Sequence, residues 1–415
     1  MSDYRMQRNR IILAHMFRQS LAALILFAAP VSAQDSLDIS ATLARSGLAA
    51  TETALAADQG DANARFALGS VRFLRAVEKT LQLRYRHNAT LDDLGIPVLR
   101  LPVPPNPDAQ PFYPALIADL FAGLIADMDA ARAALDSVEG DVALTIDLAA
   151  LWFDINGNAS RDAGEGVFEV AGSALARRPG EAGMNSMPDL LNVRFDTADV
   201  AWLRAYTHLL SGIGELVIAF DPTDVIAEVG TSVTSMAALR GTETMDRFSY
   251  LRQQEQMVDM FAMIYGALNR VPDASHTVAA RDHLLAMIAE NRAFWQAVGL
   301  ETDNAAEWIP NARQSSALGF ELPPDTSAVW LDVLSDAEAV LTGKLLVGHW
   351  RIEPGGGINV AKLLENPVAI DIVTWIHGHG LLPYMESGPL IGTANLRRFE
   401  AMFGGDALLF MVWLN

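Results

Sequence analysis

The sequence predicts a mainly α-helical, multi-helix globular protein with a small β element near its carboxyl end, and three observations predict it. Apolar residues recur at three-and-four spacing over most of the chain. Short β-branched or aromatic runs bounded by Gly or Pro gather after residue 344. A chain of 415 residues that is 51% hydrophobic and 19% charged also has enough apolar side chains for a large core. One oxygen-rich loop, Asp154 to Glu165, interrupts the helices.

At the amino end, Arg5, Arg8, Arg10 and Arg18 precede the apolar run Leu21 to Pro30, and Val31-Ser32-Ala33 follows. This is the layout of a secretory signal peptide over residues 1–33, with cleavage expected after Ala33. Ten apolar residues are short for a span of roughly 20, so membrane contact is expected only through that segment before cleavage. The basic residues include only three lysines, and the chain reads as a bacterial protein of the periplasm or exterior. Its formal charge is −20, and losing four arginines and Asp3 with the leader leaves the mature chain near −23. That excess of acid repels nucleic acid and anionic lipid. With no cysteine, disulfides, thiolate metal sites and thiol nucleophiles are excluded.

Residues 34–140 read as an N-terminal helical region. Residues 40–57 and 62–87 form a helical hairpin broken at Asp58-Gln-Gly-Asp61. The six prolines between Leu91 and Pro111 then impose an extended connection. From 114 to 135 the apolar residues Leu116, Ile117, Leu120, Phe121, Leu124, Ile125 and Met128 define an amphipathic helix. Residues 141–195 carry the oxygen-rich loop.

Residues 196–343 read as a central helical region opened by Asp196, an N-cap with Asp199 in the first turn. That helix stops at Asp221-Pro222. Its Arg204, His208, Ser211 and Glu215 align as one stripe, which suits either a catalytic or ligand face of an enzyme built on this helix or, the reading preferred, the least buried side of a core helix closed by ion pairs. Helices follow over 224–240, 242–270 and 275–300, with Met257, Met260, Met263 and Tyr265 expected in the core. Residues 344–415 form an α/β region with strands expected over 345–352, 369–376 and 408–414. Gly355-Gly-Gly357 reads as a flexible joint, and the apolar end of the chain as buried.

In the loop, Asp154, Asn156, Asn158, Ser160, Asp162 and Glu165 occupy positions 1, 3, 5, 7, 9 and 12 of a twelve-residue frame. A hard cation that takes six to eight oxygens needs many of them turned inward from a short segment, and alternate-residue spacing achieves that. Over these residues alone, the chain resembles the EF-hand calcium loop. The resemblance implies side-chain oxygens from Asp154, Asn156 and Asn158, the backbone carbonyl of Ser160, a direct or water-bridged contact from Asp162, and both carboxylate oxygens of Glu165. Position six is Ala159 where glycine is expected, at a cost of about 1 kcal/mol if φ is positive. Position eight is Arg161 rather than an aliphatic residue, and the sequence holds no second loop to pair with. Gly166-Val-Phe-Glu-Val-Ala-Gly172 reads as strand or turn, so the loop is expected without an exiting helix. The expected function is an exported, soluble calcium-binding protein whose ion stabilises a loop between helices, with affinity in the roughly 10⁻⁴ to 10⁻³ M extracellular class.

Two other readings stand beside it. His377 and His379, two apart on an expected strand, share a face and suit an exported metal-dependent enzyme if Glu386, His349 or Glu353 supplies a third ligand. Alternatively, the proline-rich connection covers a solute- or peptide-binding module. Glu301 with Asp303, and Asp332 with Asp336, read as solvated faces, and no GxSxG, HExxH or phosphate-loop frame occurs.

Overall fold

The computed structural model describes residues 32–57, 60–89, 99–175, 191–239, 254–319 and 321–404, together with 407, 410, 411 and 414. Of the leader read over residues 1–33, residues 1–31 lie outside the described residues, and Ser32 and Ala33 open a helix that runs to Ala57. Among those described, no helix is long and apolar enough to cross a membrane.

The chain is mainly helical, with a small sheet near its carboxyl end. Helices α1 (Ser32–Ala57) and α2 (Ala62–His87) form the first hairpin. Asp61 caps α2 by accepting from Ala64 N, and Asn88 closes it in the left-handed conformation. Helix α1 is kinked at Gly47, at φ 70°, where a Cβ would lie 2.8 Å from the Trp152 ring. Helix α3 (Leu116–Leu135) lies on α2, and β1 (Ala143–Asp147) leads to the loop.

After the loop comes α4 (Val167–Leu175), then β2 (Asn192–Asp196), which pairs antiparallel with β1 from Ala143↔Asp196 to Asp147↔Asn192. Asp196 ends β2 and caps α5 (Thr197–Phe220) in a reciprocal box with Asp199, as the sequence indicates. Helix α5 is central and packs on α3 and on α8 (Ala274–Val298). Between them in sequence, α6 (Thr223–Leu239) and α7 (Glu255–Leu268) form a second hairpin. Then come α9 (Thr326–Leu341), β3 (Val347–Gly348), β4 (Gly357–Ile358), α10 (Val360–Glu365), α11 (Ile372–His377), β5 (Met385–Glu386) and α12 (Ala394–Phe403). The three short strands form one antiparallel sheet in the order β3-β4-β5.

The main core joins α1, α2, β1, the loop's flanks, α5, α8, α9 and α12 through residues such as Leu81, Val193, Phe294, Trp330 and Phe399. A second cluster, with Phe121, Leu124, Met128 and Leu210, fills the space between α2, α3 and α5. At the carboxyl end Leu414 is fully buried, as its apolar character indicates, and Asn291 donates to its carbonyl at 2.7 Å.

Several expectations are corrected. The segment after Glu165 is helical, because Glu169 reaches back to accept from Gly164 N and Gly166 N and so caps α4. Residues 372–377 are helix rather than strand, since Asp371 caps Val373 N and Thr374 N, and the described residues 410 and 411 are helical. Gly357 is a strand residue and Gly356 lies under the Glu386 carbonyl, so the glycine run is packed and is no flexible joint. Met257 and Tyr265 are 44% and 47% exposed, and Ala267 is the buried residue of α7. The α5 stripe is not the least buried side either, for Ser211 is fully buried and Glu215 nearly so.

Candidate metal site

Both ends of the loop are fixed by main-chain bonds. Phe153 N donates to Glu165 O at 2.8 Å and Val167 N to Leu151 O at 3.0 Å, around a bridge between Trp152 and Gly166. Trp152 is itself held by its indole N–H on Leu43 O, and Ile155, at position two, is buried. Helix α2 grips the first ligand residue from the other side. Gln82 donates to Asp154 O at 2.7 Å, and Asp154 N donates to Glu78 Oε2 at 3.0 Å. Glu78 is 1% exposed, so burial pushes its carboxyl up, against the opposing bonds from Asp154 N and Arg75. Arg75, which pairs with Glu78, also faces Glu52 of α1, so the loop connects through one charged chain to the first hairpin.

Inside the loop, five of the six expected ligand residues are joined through their side chains. Asp154 accepts from Asn158 N and Ala159 N, while Asn156 Oδ1 also accepts from Asn158 N. The Asn156 and Asn158 carboxamides both donate to Asp162 Oδ2 at 2.7 Å. Glu165, 3% exposed, accepts from Ile155 N and Asn156 N on one oxygen and from Asp162 N on the other. Ser160 joins through its own N–H, which donates to Asn158 Oδ1. Ala159 takes φ 61°, the turn at position six that ordinarily calls for glycine. Arg161 donates to Ala149 O at 3.4 Å.

The arrangement gathers two carboxamide N–H groups on Asp162, while Glu165 is pinned by three main-chain N–H groups. Each carboxamide presents oxygen in place of N–H after a half-turn about its last torsion, at the expense of the bond from Asn158 N for Asn156 and of the bond from Ser160 N for Asn158. Asp154, Asp162 and Glu165 do not close to within 4.8 Å of one another. Among the described residues the set that does is Asp196, Glu301 and Glu307, at the β2–α5 junction and the segment after α8.

Sequence reasoning missed that second group by treating Glu301 and Asp303 as solvated. Glu307 is 3% exposed and accepts from Ala305 N. Burial first, with the like charges of Asp196, Glu307 and Asp303 adding to it, pushes Glu301 up to about 7. Asp199 is likewise raised by burial and by its acidic neighbours. Arg194 faces the group but is bonded to Asp303 at 2.7 Å. The signal for this cluster lies in tertiary structure, because parallel bridges from Glu307 to Arg194 and to Ser316 carry it to the end of β2.

The histidine alternative fares differently. His377 ends α11, His379 follows Gly378, and their Nδ1 atoms lie 3.2 Å apart. Glu386 is taken by Asn359 and Lys362, and His349 bonds Trp375 O. Among the described residues no third His, Asp or Glu joins the pair within 4.8 Å. The α5 stripe is a polar seam. Arg204 faces Glu290 at 3.9 Å, His208 shares a proton with His283 at 2.9 Å, Arg132 donates to Ser211, and Glu215 accepts from His276. Compared with protein-family models, with curated proteins and with solved structures, the chain shows no significant match.

Proposed function

We propose that Asp154–Glu165 is a calcium site and that the protein is an exported, acidic calcium-binding protein in which the ion locks one loop to the first helical hairpin. The observation that carries this reading is the convergence of the Asn156 and Asn158 carboxamides on Asp162, within a segment whose two ends are tied by main-chain bonds. An ion replaces the two amide hydrogens as the positive partner of Asp162, the carboxamides turn their oxygens inward, and Asp154 and Glu165 draw in. Binding thus includes a closing step, which fits a weak site. Export rests on the layout of residues 1–33.

The test is thermal unfolding of chelator-treated protein with and without millimolar calcium. The wild type gains several degrees in calcium, and Asp162→Ala gains none. A calcium gain that survives Asp162→Ala but is lost in Glu307→Gln places the ion at Asp196, Glu301 and Glu307 instead, and overturns the assignment to the loop.

A further inference from the structure

The hairpin of α6 and α7 departs from ordinary surface chemistry. Helix α7 lies with only Ala267 buried, and the outer half of α6, from Gly230 to Leu239, is exposed on almost every side. Yet residues 229–239 and 260–269 contain no charged side chain, in a chain that carries 50 acids and 30 bases. Leu239 is 87% exposed, Val258 and Phe261 are each 59% exposed, and Met236, Met257 and Tyr265 stand with them. A helix that is apolar on most sides is normally buried.

The polar groups of α6 are already spent. Thr231, Ser232, Thr234 and Ser235 each donate to the carbonyl four residues back, so covering this helix strands no hydroxyl donor. The base of the hairpin is fixed to itself by Arg270, bonded to Asp224 and Glu228, and by Gly266 seated against Val225. The outer face therefore projects as a formed unit.

We propose that this hairpin is a self-association surface, and that two copies of the chain pair hairpin to hairpin about a two-fold axis. A two-fold contact requires one patch to complement itself. Here large exposed side chains on α7 (Met257, Phe261, Tyr265) and small exposed residues on α6 (Gly230, Thr231, Thr234, Ser235) belong to the same hairpin. The large side chains of one copy meet the small residues of the other. The six large side chains expose on the order of 600 Å², at the top of the range for the largest patch on a monomer and near the roughly 800 Å² per partner of a standard interface. Charge decides between occupants. A net −20 keeps copies apart over most of the surface and least along the uncharged stretches 229–239 and 260–269, and helices that bind lipid surfaces carry Lys or Arg along their polar side, which α6 and α7 lack.

Sedimentation velocity of the full chain from about 0.5 to 50 µM tests this. The wild type sediments as two chains at the upper end. Phe261→Asp and, separately, Ser235→Arg weaken association at least about tenfold with the far-ultraviolet spectrum unchanged. Both positions are exposed, so if one variant loses its helical signal the other decides. One chain at every concentration overturns the proposal, as does a dimer that both substitutions leave intact. Flotation of a single-chain species with neutral phosphatidylcholine vesicles assigns the face to lipid instead.

Discussion

Ala159 occupies a left-handed backbone at φ 61°, which glycine adopts without strain. Ala159→Gly is therefore expected to stabilise the fold by up to about 1 kcal/mol and to tighten calcium binding, read by urea unfolding and titration. Glu165 and Asp162 differ as probes. Glu165 is buried and takes three main-chain N–H groups, so Glu165→Ala costs about 2–4 kcal/mol with or without calcium. Asp162 is exposed and its side chain accepts from two exposed carboxamides, so Asp162→Ala is expected to abolish binding while shifting the chelated protein by roughly 0.5–1 kcal/mol. Glu78 is the positioning residue. Replacing it with Ala leaves Asp154 N without its partner and Arg75 with Glu52 alone, costs about 3 kcal/mol in urea unfolding, and is expected to weaken calcium binding by loosening Asp154. The spacing of the oxygen-bearing residues and the turn at Ala159 were legible in the sequence because they are local. The grip of Glu78 and Gln82 was not, because more than 70 residues separate them from Asp154.

The helices were legible where sequence punctuation and burial agree. Asp61, Asp196 and Asp273 each cap the helix that follows them, and Asp221-Pro222 ends α5. Helix α4 was hidden because its β-branched sequence suits a strand, and the deciding bonds from Glu169 run backwards to Gly164 and Gly166. Strands β1 and β2 escaped notice because their partners lie some fifty residues apart, with the oxygen-rich loop and α4 between. The methionines of α7 have core composition without core placement, which periodicity alone does not distinguish. In the α5–α8 seam, burial and the nearby Arg132, His283 and Arg204 charges hold His208 down at about 4. A neutral buried histidine binds fewer protons than its unfolded counterpart, so its contribution is present above about pH 6.5 and lost as pH falls toward 4. After allowance for solvent screening this amounts to about 1–2 kcal/mol, and His208→Gln is expected to flatten that part of the acid limb in urea titrations.

The molecule as a whole places two opposing titrations around one core. Glu301, raised to about 7, contributes stability that is complete below about pH 4.5 and lost as pH rises through 7. With His208 failing on the acid side, unfolding stability is expected to peak between about pH 5 and 6.5, and Glu301→Gln to remove about 1–2 kcal/mol of the decline above that range. In the proposed reading calcium acts separately from both. The Asp154–Glu165 loop is tied to α1 and α2 through Trp152, Glu78 and Gln82, so an ion bound there is expected to stabilise the first hairpin together with the loop. The most direct test is isothermal titration of calcium into chelator-stripped protein, run side by side with Asp162→Ala. One site per chain with a dissociation constant on the order of 10⁻⁴ to 10⁻³ M, absent from the variant, is the predicted result. No heat at millimolar calcium, or the same heat from Asp162→Ala, would contradict it.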